Sequence, residues 1–170
     1  GPLMAADSGF STAIYNPTAL AAFSQAGKQY GLVESFSNVV LFYNKDLFDK
    51  AGVAYPSAGW TWKEELEAAQ KLTDAASGVW GSFAPIQFWE FYKTIAQNGG
   101  AMFNADKTEV TLDSPANVEA LQWMVGKVAR YRVTPSDAEM AGQGDGDLFK
   151  AGRIAMLRTG IWMFGDFSAN

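Results

Sequence analysis

Tryptophan is the residue type in this sequence with most to offer a ligand. Trp60, Trp62, Trp80, Trp89 and Trp162 each carry a flat apolar ring and one N–H donor. Such a ring stacks on the apolar face of a pyranose as readily as it fills a core, and burial habit favours the core for a generic tryptophan. Two of the five depart from that habit. A helix is expected over residues 86–98, and a step of roughly 100° per residue sets Trp89 about 110° from the centre of its stripe Phe88, Phe91, Tyr92 and Ile95. Trp162 follows Gly160 where a strand gives way to a helix, the edge at which open α/β sheets bind ligands.

Polar candidates are fewer. The segment Glu34-Ser35-Phe36-Ser37-Asn38 has short side chains with donors and acceptors that suit hydroxyl groups, and it reads equally as an ordinary crossover between two strands. Glu64, Glu65 and Glu67 fall on a helix whose start they explain, so a solvated face accounts for them. Gly144-Asp145-Gly146-Asp147 lacks the ligand spacing and distal glutamate of an EF-hand, and Asp145 reads better as a helix cap. No two acids stand out by sequence as a glycosidase pair.

The residue types that are missing exclude more. There is no cysteine and no histidine, so thiol nucleophiles, disulfides, Ser-His-Asp triads and histidine-ligated metals are ruled out, and no cofactor is implied. The net charge of -5 comes from 13 basic and 18 acidic side chains without a basic run, which argues against nucleic acid as a partner. With 48% hydrophobic and 18% charged residues in 170, the chain can bury one core. No apolar run is long enough to span a bilayer. Gly1-Pro2-Leu3-Met4 reads as a cleaved tag remnant before an initiator methionine, which leaves open the removal of an export signal.

The elements that must position these side chains are legible in outline. Asn16-Pro17 starts a helix behind an N-cap, and a turn at Gly27-Lys28 leads to a short strand at residues 30–33. Val39-Val40-Leu41-Phe42-Tyr43 suits a strand buried on both faces. Asn44 caps a short helix ending at Gly52, and Thr61-Trp62-Lys63-Glu64 is a capping box opening another. Strands are expected at residues 79–83, 110–112 and 154–158. Ser114-Pro115 caps the longest helix, with Val118, Leu121, Val125 and Val128 as its buried side. Residues 135–146 read as a loop, followed by short helices around Leu148 and after Ile161. Helices and strands alternate without an internal repeat, so the fold class is α/β.

Six of these segments, in order, resemble the extracellular solute-binding proteins of the maltose-binding type, components of ABC importers. Gly27-Lys28-Gln29-Tyr30-Gly31-Leu32 is similar to the family's "GK-x-YG-[LI]-P", with Val33 where proline is usual. Tyr43-Asn44-Lys45-Asp46-Leu47-Phe48 matches "YNKDLF" after a strand, and Trp60-Thr61-Trp62-Lys63-Glu64-Glu65-Leu66 resembles "P-x-TW-[DE]-E-[LF]". Asn98-Gly99-Gly100 is similar to "NGG". Phe149-Lys150-Ala151-Gly152-Arg153-Ile154-Ala155-Met156 resembles "F-x-x-GK-x-AM", with Arg153 for lysine, and Gly160-Ile161-Trp162 follows. The resemblance runs over roughly residues 9–168.

What the resemblance implies is a periplasmic-binding-protein-like lobe, incomplete and mostly lobe two of a two-lobe fold. Residues 1–4 are then a tag remnant, 5–35 the tail of lobe one and the approach to a hinge near residues 36–39, and 36–170 most of lobe two. The implied ligand is a mono- or oligosaccharide. Trp162 falls on the family's sugar-stacking tryptophan and Trp89 on a second stacking aromatic. Gln87 stands where the maltose-binding type has a carboxylate facing sugar hydroxyls, and Ser37 lies near a hinge position that reaches the ligand. The implied partners are lobe one and the permease subunits, the implied location is outside the cytoplasm, and no covalent chemistry is implied. Three other readings stay open: a receptor for peptide, polyamine or glycerol phosphate, with Arg158 as the nearest anion-binding candidate; a glycoside-active enzyme using Glu34 or Asp166; and a lobe engaged in protein interaction.

Overall fold

The computed structural model describes residues 2–168. They divide into two compact units that meet in sequence between Asn38 and Val39.

The first unit holds helix α1 (Pro2–Ala6), a 3₁₀ turn (Thr12–Ile14) and helix α2 (Pro17–Ala21). Asn16 caps α2 through Oδ1, which accepts from the Ala19 amide at 3.1 Å, with Pro17 at the first helical position. Strands β1 (Ser24–Gln25) and β2 (Lys28–Gln29) then form a two-residue hairpin. Its turn residues Ala26 and Gly27 both have positive φ, 49° and 72°, the geometry that matches strand twist. The strand expected at residues 30–33 is therefore earlier and shorter. The Tyr30 amide still bonds the Phe23 carbonyl at 2.9 Å, but beyond it no strand faces the chain among the described residues.

The second unit is built on strand β3 (Val39–Tyr43), which pairs antiparallel with β4 (Met156–Gly160), Leu41 opposite Arg158. Between them in sequence come helices α3 (Lys45–Ala51), α4 (Trp62–Leu72), α5 (Phe88–Gln97), α6 (Pro115–Ala129), α7 (Asp137–Met140) and α8 (Asp145–Lys150). After β4 follow a 3₁₀ turn (Ile161–Met163) and helix α9 (Phe164–Ser168). Several starts have a local cause. Asn44 Oδ1 caps α3 through the Leu47 amide at 3.1 Å, Thr61 and Glu64 form a capping box on α4, and Ser114 precedes Pro115 at the head of α6.

Further expectations are corrected. The strand at residues 79–83 is reduced to two parallel bridges beside β4, Trp80 to Ile154 and Phe83 to Leu157. Between them the Ser82 amide turns away to the Val133 carbonyl at 3.0 Å, and Gly81 lies against α4 so closely that a Cβ there would strike the Ala69 backbone. Residues 110–112 make one bridge, Val110 to Phe103. β3 is half-buried along its length rather than buried on both faces, because among the described residues it has a strand partner on one side only.

The largest correction concerns α6. Val118, Leu121 and Val125 are 44%, 43% and 42% exposed, while Asn117, Ala120, Met124 and Lys127 are buried. The inward face carries polar groups most of whose atoms have partners, Asn117 Oδ1 being an exception. Asn117 Nδ2 donates to the carbonyls of Ala101 and Thr111, each at 2.7 Å, and Lys127 pairs with Glu65. A buried polar group that is hydrogen-bonded costs little, so hydropathy alone picks the wrong stripe. The core itself gathers Phe48, Ala69, Leu72, Val133, Ala155 and Met156, with a second cluster of Leu148, Ile154 and Leu157 on the other side of β4.

Candidate functional site

β4 runs through the core from Met156 and delivers Arg158, Thr159 and Gly160 to a cleft at its carboxyl end. The turn after it carries Trp162, 65% exposed. A Cβ on Gly160 would fall inside the Trp162 ring, so only glycine lets the indole lie across this backbone. Opposite stands the start of α5. Gln87 occupies its N-cap position, makes no capping bond and leaves its amide exposed, and Trp89 two residues on is 55% exposed. Trp89, Trp162 and Gln87 line one open cavity of about 460 Å³.

The walls of that cavity also carry charge. Arg158 is mostly buried and holds two carboxylates apart: Nη1 donates to Glu90 Oε1 at 3.2 Å and Nη2 to Glu65 Oε2 at 2.9 Å. Lys93 Nζ takes the other oxygen of Glu90 at 2.8 Å, and Lys127 Nζ the other oxygen of Glu65 at 3.1 Å. Ser82 Oγ adds a bond to Glu65 at 3.3 Å. Burial alone would raise the Glu65 carboxyl, but Lys127 and Arg158 outweigh it and hold the group below the usual carboxylate range. Asp137 and Asp145 complete the charged part of the lining.

The remaining tryptophans are accounted for by packing. Trp80 is 3% exposed. Trp62 lies flat on Trp123, centroids 5.2 Å apart and planes 4° apart, and its Nε1 donates to Gln97 at 3.3 Å. Trp60 packs at 6.4 Å from Phe48. Trp60 and Trp62 border a larger hollow of about 870 Å³ on the other side of Arg158, but both are half-buried and engaged with other rings. The smaller cleft, at the strand terminus and with two uncommitted indoles, is the better candidate on chemistry.

Of the four residues named from sequence, three come together in this cleft. Ser37 belongs to the first unit, exposed, its hydroxyl donating to the Asn38 carbonyl at 3.4 Å. Asp166 is paired with Lys150 at 3.1 Å. Sequence reasoning missed Glu90 and Lys93. The stripe expected to bury α5 was Phe88, Phe91, Tyr92 and Ile95, yet Phe88 and Tyr92 are 61% and 44% exposed while Glu90, Thr94 and Ile95 are buried. A signal was available: an arginine at the end of the apolar run Ile154-Ala155-Met156-Leu157 demands a carboxylate, and Glu90 and Glu65 are what it finds. Among the described residues no cluster of acids has metal-binding geometry.

Exposed aromatic rings beyond the carboxyl end of a core strand in an α/β unit are the setting of a ligand-binding cleft. The chain belongs to the bacterial extracellular solute-binding protein family, whose profile matches residues 5–170. It superposes on an ABC substrate-binding protein from Listeria monocytogenes in complex with cycloalternan, with a TM-score of 0.89 and 55% identity over 98% of this chain and 43% of that one. A solute-binding protein from Thermotoga lettingae bound with alpha-D-tagatose gives 0.79 at 26% identity, over 93% and 42% of the two chains. In sequence, the chain is 24% identical to an arabinooligosaccharide-binding protein of Halalkalibacterium halodurans over 87% of its own length and 33% of that relative. These likenesses establish the periplasmic-binding-protein fold, of which this chain spans a part. The family and these neighbours are binding proteins.

Proposed function

We propose that this chain forms one wall of a carbohydrate-binding cleft in the solute receptor of an ABC importer. The observation that carries the reading is the pair of exposed indoles, Trp89 and Trp162, flanking the unengaged Gln87 amide in one cavity. Flat rings take the apolar faces of sugar rings, and an amide supplies both a donor and an acceptor for hydroxyls. The Listeria neighbour, in complex with cycloalternan, supports an oligosaccharide as the ligand class. Residues 36–170 then correspond to most of lobe two, residues 5–35 to the tail of lobe one and the hinge approach, and Ser37 lies near the hinge. The permease subunits are the downstream partners, and the receptor works in the periplasm or lipid-anchored on the outer face of the membrane. No residue is assigned a catalytic role.

A cleft ligand draws much of its burial from a second wall. The chain alone is therefore expected to bind sugars at about millimolar Kd. Calorimetric or NMR titration with a glycan panel tests this: neutral oligosaccharides bind weakly, and Trp162→Ala weakens them further. Sugar binding unaffected by Trp162→Ala and Trp89→Ala together would remove the reading.

A further inference from the structure

Resting on the cleft assignment above, we infer that the Glu90–Arg158 pair is a specificity-determining element, one that withholds the cleft's guanidinium from anionic solutes and reserves the site for neutral, hydroxyl-rich ones. An arginine beside an α/β ligand cleft is the usual instrument for gripping phosphate or carboxylate, because its planar fork matches two oxygens at once. Arg158 is positioned for that task and is already engaged. Its Nη1 is committed to Glu90 at 3.2 Å and its Nη2 to Glu65 at 2.9 Å.

The second cation of the cleft is spent in the same way. Lys93 Nζ sits 2.8 Å from the oxygen of Glu90 that Arg158 does not take. The N-terminus of α5 opens on the same cavity and would by its dipole favour an anion, but Glu90 in the first turn already supplies the negative charge there. Asp137 and Asp145 then add carboxylates that no cation in the lining offsets. An entering phosphate would have to draw Arg158 or Lys93 away from Glu90, a 2% exposed carboxylate, and leave that buried charge with one of its two cations lost, which is unfavourable. A sugar hydroxyl faces no such barrier.

The direct test is a pair of NMR titrations on the full chain, with cycloalternan as the neutral probe and glycerol 3-phosphate as the anionic one. In the wild type, cycloalternan is expected to shift the cleft signals at concentrations at least tenfold below those needed with glycerol 3-phosphate. In Glu90→Gln, which frees Lys93 and the Nη1 of Arg158 while Nη2 stays on Glu65, the ratio of the two affinities is expected to move at least tenfold toward the anion. Glu90→Asp, which retracts the carboxylate by one methylene, serves where Glu90→Gln does not fold, and must move the ratio the same way by a smaller factor. A wild type that takes the anion as tightly as the neutral probe, or a folded variant with an unchanged ratio, overturns the inference while leaving carbohydrate binding intact. Absence of any response to cycloalternan overturns the cleft assignment and the inference with it.

Discussion

Trp162 and Gly160 form a single device at the residue scale. The indole lies over a backbone where a Cβ would meet the ring, so the ring can occupy this place only with glycine at position 160. Gly160→Ala is expected to swing the ring away, changing the tryptophan emission maximum and weakening sugar binding at least as much as Trp162→Ala. An aromatic contact contributes on the order of 0.5–1.5 kcal/mol beyond area burial. Trp162→Ala should therefore raise Kd by roughly 2- to 10-fold while leaving the unfolding midpoint nearly unchanged, since the ring is 65% exposed. An alanine at position 160 that left both emission and affinity untouched would show that the ring does not depend on that glycine.

At the scale of elements, the charged network ties α4, α5, α6 and β4 together. Glu65 comes from α4, Glu90 and Lys93 from α5, Lys127 from α6 and Arg158 from β4. Removing one partner of a buried pair leaves an uncompensated charge, which costs about 3–5 kcal/mol. Lys127→Met is expected to lose stability on that order in urea titration, and Glu65→Gln with Lys127→Met together less than the sum of the two singles. The folded carboxyl of Glu65 lies below its unfolded value. Its contribution is therefore fully present above the ordinary carboxylate range and is lost as pH falls through the lowered folded value. Unfolding midpoints measured between pH 7 and pH 3 should fall less steeply in Glu65→Gln than in the wild type.

The same network marks where the sequence stopped being readable. Caps at Asn16, Asn44, Thr61 and Ser114 announced four helices, because an N-cap is a local event set by a few consecutive residues. The buried faces of α5 and α6 were misassigned, because hydropathy takes Glu90 and Lys127 for surface residues and cannot see the Arg158 and Glu65 that receive them. Trp89 and Trp162 were legible as departures from a core pattern. Glu90 and Lys93 were not, since their roles depend on a strand some 68 residues away in sequence.

At the scale of the whole molecule, the cleft is the organising feature of the second unit. It sits where β4 ends, with α5 presenting its N-terminus from across the opening. This chain spans about two-fifths of the solved relatives it resembles, and a second wall would bury more of a ligand than this chain alone. A protein carrying this chain together with a second wall should bind the same oligosaccharide far more tightly than this chain, with the Trp162→Ala penalty preserved in both.

The central proposition is that Trp89 and Trp162 face a carbohydrate. The most direct measurement follows the indole Nε1–H resonances during titration with cycloalternan, each assigned by single tryptophan-to-phenylalanine substitutions. The Trp89 and Trp162 signals should move together along one binding curve while that of Trp80 stays fixed. Movement confined to Trp60 and Trp62, or no movement at millimolar sugar, would contradict it.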